Sequence, residues 1–191
     1  MQTDDSGTRP ERLMDLRSCS LILGGVRSGK SRLAEQLARA SGLPVTYLAT
    51  ATASDGEMRE RIAAHQARRP SDWRLIEEPL ALPKVLASEC QAGRCVLVEC
   101  LTLWLANLLW TDEPGRLDAE LAALDALLPK LAGTIIFVGN EVSLGVIPVN
   151  DLARRYGDLA GSLHQRIAAE AEQVVLTVAG LPLVLKGPPL R

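Results

Sequence analysis

No run of basic residues stands out along this chain of 191 residues. Lys plus Arg number 21 and Asp plus Glu 23, a formal net charge of −2. A nucleic-acid surface needs clustered positive charge, so nucleic acid is not the expected partner. Long apolar runs are missing as well. The longest, residues 101–110, is interrupted by Asn107 and falls well short of the about 20 apolar residues of a membrane span. Residues 1–18 are polar, carry Asp4 and Asp5, and hold no apolar segment of the signal-peptide kind. They read as a flexible leader ahead of a single domain over 19–191, and the expected location is cytoplasmic. The four cysteines (Cys19, Cys90, Cys95 and Cys100) make no C-x-x-C pair and have no histidine at zinc-ligand spacing. In a reducing compartment they read as small buried hydrophobes. Histidine occurs only twice, at His65 and His164, and repeats, low-complexity tracts and linkers are absent.

What is present is an ordinary globular balance, 47% hydrophobic and 23% charged residues, with one informative stretch. Leu21-Ile22-Leu23 runs into Gly24-Gly25-Val26-Arg27-Ser28-Gly29-Lys30-Ser31, and a helix-forming run follows. The turn satisfies G-x-x-x-x-G-K-[ST] in full. Glycines let successive backbone N–H groups converge on phosphate oxygens, and the helix N-terminus behind them adds partial positive charge. Lys30 is placed to reach the outer phosphates of an NTP, and the Ser31 hydroxyl to sit on Mg²⁺.

Apolar runs bounded by turn residues recur at 20–23, 45–49, 96–99, 134–138, 174–178 and 183–185, with a weaker candidate at 74–77. Most are continuous rather than alternating, as in strands buried on both faces. Helical patterns lie between them, at 31–40, 56–68, 80–91, 101–109, 117–131 and 151–173. The alternation predicts an α/β fold of the P-loop NTPase class, a mostly parallel doubly wound sheet with a short antiparallel edge at its C-terminal end.

Ligands of such sheets bind beyond the carboxyl ends of the strands. That rule selects Thr50, Thr52, Asp55 and Glu57 after the second strand, Glu99 and Cys100 at the next long one, then Asn140 and Glu141. Glu99 is the candidate to hold Mg²⁺ or its waters opposite the phosphate loop, against the alternative of a carboxylate that merely caps its strand. On the helix from Gly56, Glu57, Arg61 and His65 are spaced i, i+4, i+8 and line one face. In the helix from Asp151, Leu152, Tyr156, Leu159, Leu163 and Ile167 form the expected core stripe. Asp158-Leu159-Ala160-Gly161 matches a D-x-x-G switch string but falls mid-helix, where no switch loop fits.

Together these residues resemble the bifunctional adenosylcobinamide kinase / adenosylcobinamide-phosphate guanylyltransferase family of cobalamin biosynthesis. The resemblance covers about residues 20–187. It is carried by the phosphate loop, Tyr47-Leu48-Ala49-Thr50, Asp55-Gly56-Glu57-Met58 with Arg61-Ile62 and His65, and Arg69-Pro70 with Trp73. It continues through Glu99-Cys100-Leu101-Thr102 with Asn107-Leu108-Leu109, Asn140-Glu141-Val142, and Gly161 with Gln165. The resemblance implies a RecA-like fold, a homotrimer, and two reactions. The first phosphorylates adenosylcobinamide with ATP or GTP. The second transfers GMP from GTP to that phosphate through a histidine–GMP intermediate at His65, releasing pyrophosphate. Mg²⁺ is the implied cofactor, with Ser31 and Glu99 on the metal side. Lys30 and His65 are then the catalytic residues, and the nucleotide-binding set is the loop 24–31 with Thr50, Glu57, Arg61 and Glu99.

The chain departs from the family at Ser143 (usually glycine), Val149 (usually acidic), Gly157 (usually arginine) and His164 (usually asparagine). Gly157 and His164, seven apart, share a helix flank, where they either compensate each other or alter the cobinamide or subunit surface. The alternative reading is another P-loop small-molecule kinase with His65 structural. A guanine-nucleotide switch is disfavoured, because Asn140-Glu141-Val142-Ser143 has Glu where N-K-x-D has Lys.

Overall fold

A computed structural model describes residues 18–52, 56 and 70–190. Its strands are β1 (Ser18–Gly24), β2 (Val45–Ala49), β3 (Arg74–Glu77), β4 (Cys95–Glu99), β5 (Thr134–Asn140), β6 (Gln173–Val178) and β7 (Leu181–Lys186). They form one sheet in the order β3-β2-β4-β5-β1-β6-β7, parallel throughout except for the antiparallel β6–β7 pair at the edge. The helices are α1 (Lys30–Ala40), α2 (Leu82–Glu89), α3 (Leu101–Leu109), α4 (Arg116–Leu127) and α5 (Asp151–Glu170). This is the predicted doubly wound α/β sheet. In this order β5 separates β1, which feeds the phosphate loop, from β4, which carries Glu99.

The continuous apolar strands follow from cover on both faces. Leu21, Leu23, Val96, Val98, Ile135 and Phe137 point into one core with Leu82 and Leu86, Trp104, Leu121 and Leu124, and Leu163 and Ile167 of α2 to α5. Their sequence neighbours Ile22, Leu97, Ile136 and Val138 point the other way, into a second core with Ala34 and Ala38 of α1 and with Trp73. Strand side chains alternate faces, so a strand covered twice has no polar positions to offer.

Several element ends move relative to the sequence expectation, each for a local reason. α2 starts at Leu82 rather than 80, because Glu78 Oε1 accepts from the N–H groups of Leu80 (2.9 Å) and Ala81 (2.8 Å) and holds them in a turn. α4 gives way to a 3-10 turn at Leu128–Lys130, where Pro129 cannot donate to the ladder. α5 ends at Glu170, since Ala171 is extended and Glu172 N–H already bonds Cys19 O (2.9 Å). The core stripe of α5 is present from Tyr156 to Ile167, with one correction at its start. Leu152 is exposed in the first turn, whereas Ala160 and His164 join Leu163 and Ile167 in the buried set. The D-x-x-G string does lie within α5. The expected helix over 56–68 lies outside the described residues apart from Gly56, which is helical, and residues 1–17 of the expected leader are outside them too.

Phe137 sits fully buried mid-strand between the phosphate-loop strand and the Glu99 strand. Phe137→Ala is expected to destabilise by about 3–5 kcal/mol through the lost burial and the cavity left behind. A shift of the urea midpoint equivalent to less than about 1 kcal/mol, with unchanged slope, would contradict this placement of the core.

Candidate functional site

The strand ends converge where the sheet rule places a ligand. β1 ends at Gly24, level with Asn140 of β5 and Thr177 of β6. Gly24 has no room for a side chain: a Cβ there would lie 2.3 Å from both the Ser28 and Thr177 hydroxyl oxygens. The loop then turns back on itself, with Ser28 N–H donating to Gly25 O (3.2 Å), Arg27 at φ 56° and Gly29 at φ 98°. Val26 and Arg27 are exposed on its rim, whereas Ser28 is buried. Gly29 is the N-cap of α1, whose first residues are Lys30 and Ser31, so the motif's cation and hydroxyl leave the first helical turn as its chemistry requires. Lys30 Nζ folds back onto Gly25 O at 3.2 Å, within the same loop.

Glu99 closes β4 two strands away, and Ser31 Oγ donates to its Oε1 at 2.7 Å. The structure thus brings together the two residues expected on the metal side. A serine hydroxyl and a carboxylate are hard oxygen donors, the set that Mg²⁺ accepts alongside phosphate oxygens and water. Among the described residues no group of three His, Cys, Asp or Glu side chains could hold a metal by itself. The donor pair therefore fits a metal completed by a nucleotide, not a protein cage.

Thr50 is packed against the end of β4. It is fully buried, and its hydroxyl both accepts from Cys100 N–H and donates to Cys100 O, each at 2.8 Å. Its own N–H donates to Glu99 O (3.0 Å). The side chain clamps the peptide that follows Glu99 and so aims the carboxylate. Asn107 of α3 continues this support, donating to Thr50 O (2.7 Å) and Pro79 O (3.1 Å).

Thr102, on the first turn of α3, ties the next strand end to this one. Its hydroxyl accepts from Asn140 N and Nδ2, both at 3.3 Å, and its carbonyl accepts from Tyr156 Oη of α5 (2.9 Å). Asn140 Oδ1 is buried and, among the described residues, has no partner, which leaves an open acceptor at the carboxyl end of β5. Cys100 is no rival nucleophile: burial, then the nearby Glu99 charge, push its thiol up. Burial also pushes Tyr156 up to about 12, so its phenol stays protonated.

Glu57, Arg61 and His65 lie outside the described residues. Of the departures, Ser143 donates from both N–H (2.7 Å) and Oγ to Glu141 Oε1. Val149 is exposed, and a Cβ on Gly157 would meet nothing within 4 Å. His164 has the opposite setting, buried with Nε2 against Gly139, where a Cβ would approach it to 2.7 Å. Gly157 and His164 share a flank but not an environment. Thr102, Thr177 and the Gly180 turn carry structural duties at the site that the sequence reading did not assign. Each is a polar or glycine residue flanking a strand end, which is the one signal that could have marked it.

A profile of the cobinamide kinase / cobinamide phosphate guanyltransferase family matches residues 20–185. The chain belongs to this family. It is 64% identical over 170 residues to the bifunctional adenosylcobalamin biosynthesis protein CobP of Pseudomonas aeruginosa, covering 89% of this chain and 98% of that relative. To the corresponding Escherichia coli protein CobU it is 36% identical over 179 residues, covering 87% and 98%. Among solved structures, a Pyrococcus horikoshii protein superposes with a TM-score of 0.53 at 10% identity, covering 93% of this chain and 90% of that one, a likeness of fold alone. As a member of the family the chain is an enzyme, a transferase, and among its described residues no helix is long and apolar enough to cross a membrane.

The burial of His164 yields a stability prediction. Burial lowers its pKa below the ordinary value, and only partly does Glu141 oppose this. The unfolded chain then takes up a proton near pH 6.5 that the folded chain refuses, so stability falls as pH drops through and below that value. The slope is at most about 1.4 kcal/mol per pH unit for one proton. His164→Asn should flatten this part of the denaturant-midpoint profile against pH. A mutant profile parallel to the wild type would remove His164 as its source.

Proposed function

We propose that this enzyme phosphorylates the aminopropanol hydroxyl of adenosylcobinamide with ATP or GTP, then transfers GMP from GTP to the new phosphate. The products are adenosylcobinamide-GDP and pyrophosphate. The observation that carries this reading is the phosphate loop 24–31 with Ser31 on Glu99, in a chain of this family. Loop N–H groups and the start of α1 face the place where phosphate charge accumulates, and Lys30 exchanges Gly25 O for phosphate oxygens. Mg²⁺, held by Ser31 and Glu99 with the nucleotide, would neutralise phosphate charge. Thr50 and Asn107 keep Glu99 aimed.

In the second reaction a His65 ring nitrogen attacks the α-phosphorus of GTP, an N–P bond forms, and pyrophosphate leaves. An oxygen of cobinamide phosphate then attacks the same phosphorus and releases the imidazole. Neutral imidazole suits this because its unperturbed pKa of about 6.5 leaves it largely deprotonated near neutrality. Glu57 and Arg61, on the same expected helix face, would orient the ring and meet phosphate charge. The burial of His164 supports the choice, since its Nε2 abuts Gly139 and leaves no space for phosphorus. A homotrimer and a cytoplasmic location complete the proposal; the assembly is checked by sedimentation mass.

Incubation with α-labelled GTP and a denaturing gel tests the reading. His65→Ala should abolish acid-labile, alkali-stable labelling and guanylyl transfer while retaining adenosylcobinamide phosphorylation. Label that persists in His65→Ala and vanishes in His164→Ala would reverse the assignment. Absence of both label and corrinoid turnover in the wild type would favour a different small-molecule kinase with His65 structural. Lys30→Ala should abolish both reactions, since each charge-assisted phosphate contact contributes about 1.5–3 kcal/mol and more in the transition state. An undiminished GTP-induced melting shift in Lys30→Ala would refute the phosphate-loop role. Glu99→Gln should raise the Mg²⁺ concentration needed for half-maximal rate, with little effect on metal-free GTP binding; an unchanged metal requirement would return Glu99 to a capping role.

A further inference from the structure

The outer wall of the phosphate loop is built by the β6–β7 hairpin at the edge of the sheet. Thr177, the fifth residue of β6, is buried beside Gly24, and its hydroxyl donates to Leu23 O at 3.0 Å. The same oxygen lies 2.9 Å from Ser28 Oγ. A hydroxyl has one proton, and that of Thr177 is spent on Leu23, so Ser28 must be the donor and Thr177 the acceptor. This turns the Ser28 hydroxyl inward, away from the face where phosphate would bind. Next along the chain, the two-residue turn Ala179-Gly180 (φ 52° and 80°) brings Gly180 N–H to Ser28 O at 2.9 Å. A Cβ on Gly29 would lie 3.2 Å from Gly180 Cα. Side chain and carbonyl of Ser28 are therefore both held from β6–β7, immediately before the loop delivers Gly29, Lys30 and Ser31.

We propose that Thr177, with the turn at Gly180, is a positioning residue for nucleotide phosphate: it fixes Ser28, and through Ser28 the direction of the loop's N–H groups. The inference rests on the phosphate-loop reading of residues 24–31 and gives the C-terminal hairpin a part in binding that no motif marks. The antiparallel edge thereby does more than complete the sheet. Without the Thr177 hydroxyl, the buried Ser28 donor has no acceptor, and the loop recovers one only by rotating.

Calorimetric titration with GTP and Mg²⁺ tests this, at a temperature where circular dichroism shows every variant folded. Thr177→Val should weaken binding roughly tenfold, equivalent to about 1.4 kcal/mol, and Thr177→Ser should restore it. Ser28→Ala should lose a similar amount, and adding Thr177→Val to it should cost little more, because the two act as one unit. Thr46→Val is the control: an equally buried threonine hydroxyl, bonded to Glu89 at the amino end of β2, whose loss should lower stability and leave GTP affinity alone. Wild-type affinity in folded Thr177→Val overturns the inference, as does an equal loss in Thr46→Val. If Thr177→Val does not fold, wild-type affinity in Ser28→Ala overturns it instead. Failure of the wild type itself to bind GTP defeats the phosphate-loop reading, and is distinguishable because no variant is then involved.

Discussion

The contact between Ser31 Oγ and Glu99 Oε1 is the constraint on which the site depends, because nothing local can make it. The two residues are 68 positions apart and stand on elements separated by a whole strand. A 2.7 Å hydrogen bond across that gap requires β1, β5 and β4 to be parallel, in register, and ending at nearly the same level. The pairings Gly24 with Asn140 and Glu99 with Val138 supply that alignment. A slip of one residue would turn every side chain of the strand to its opposite face, so the apolar pattern that fills both cores also sets the reach of Ser31.

Polar residues at the strand ends then convert alignment into aim. Thr50 holds the peptide after Glu99, Thr102 holds Asn140, and Thr177 holds Ser28. Each is a threonine at or just beyond a strand end, with its hydroxyl spent within the protein. Burying a hydroxyl without a partner is costly, so each hydrogen bond selects one local geometry over nearby alternatives. The ligand-facing groups left over are backbone N–H groups, Lys30, Ser31 and Glu99, a division between atoms that fix the cradle and atoms available to phosphate.

What the sequence made legible were features encoded over short distances. The phosphate loop is contiguous, and β2, β3 and α3 begin and end where composition places them. A rule about strand ends selects Glu99, and only the folded sheet shows that its carboxylate accepts from Ser31. The same rule selects Thr50, but it gives position and not the direction of a hydroxyl, which here is bonded to the Cys100 peptide. Thr177 was passed over for the complementary reason. In Val-Val-Leu-Thr-Val it reads as an ordinary strand threonine, and its meaning appears only when β6 pairs with β1 beside a glycine. The core stripe of α5 is legible from Tyr156 to Ile167, whereas Leu152 precedes the turn at which the helix reaches the core and the burial of His164 depends on its contact with β5.

His164 shows how a second histidine in the chain need not create new chemistry. Asparagine and histidine both offer nitrogen near the end of a flat side chain, but imidazole could act as a nucleophile if it were open to solvent. Here its Nε2 rests against Gly139, and burial holds the ring neutral. Neutrality favours nucleophilicity, yet a phosphorus atom cannot reach a nitrogen packed on a strand backbone, so access rather than protonation decides the matter. The same packing depends on β5 having glycine at 139, since any Cβ there would meet the ring. Gly139 directly precedes Asn140, the residue that Thr102 anchors at the carboxyl end of β5. A larger residue at 139 would therefore push on both the histidine and the strand end, which couples an apparent surface variation on α5 to the geometry of the site.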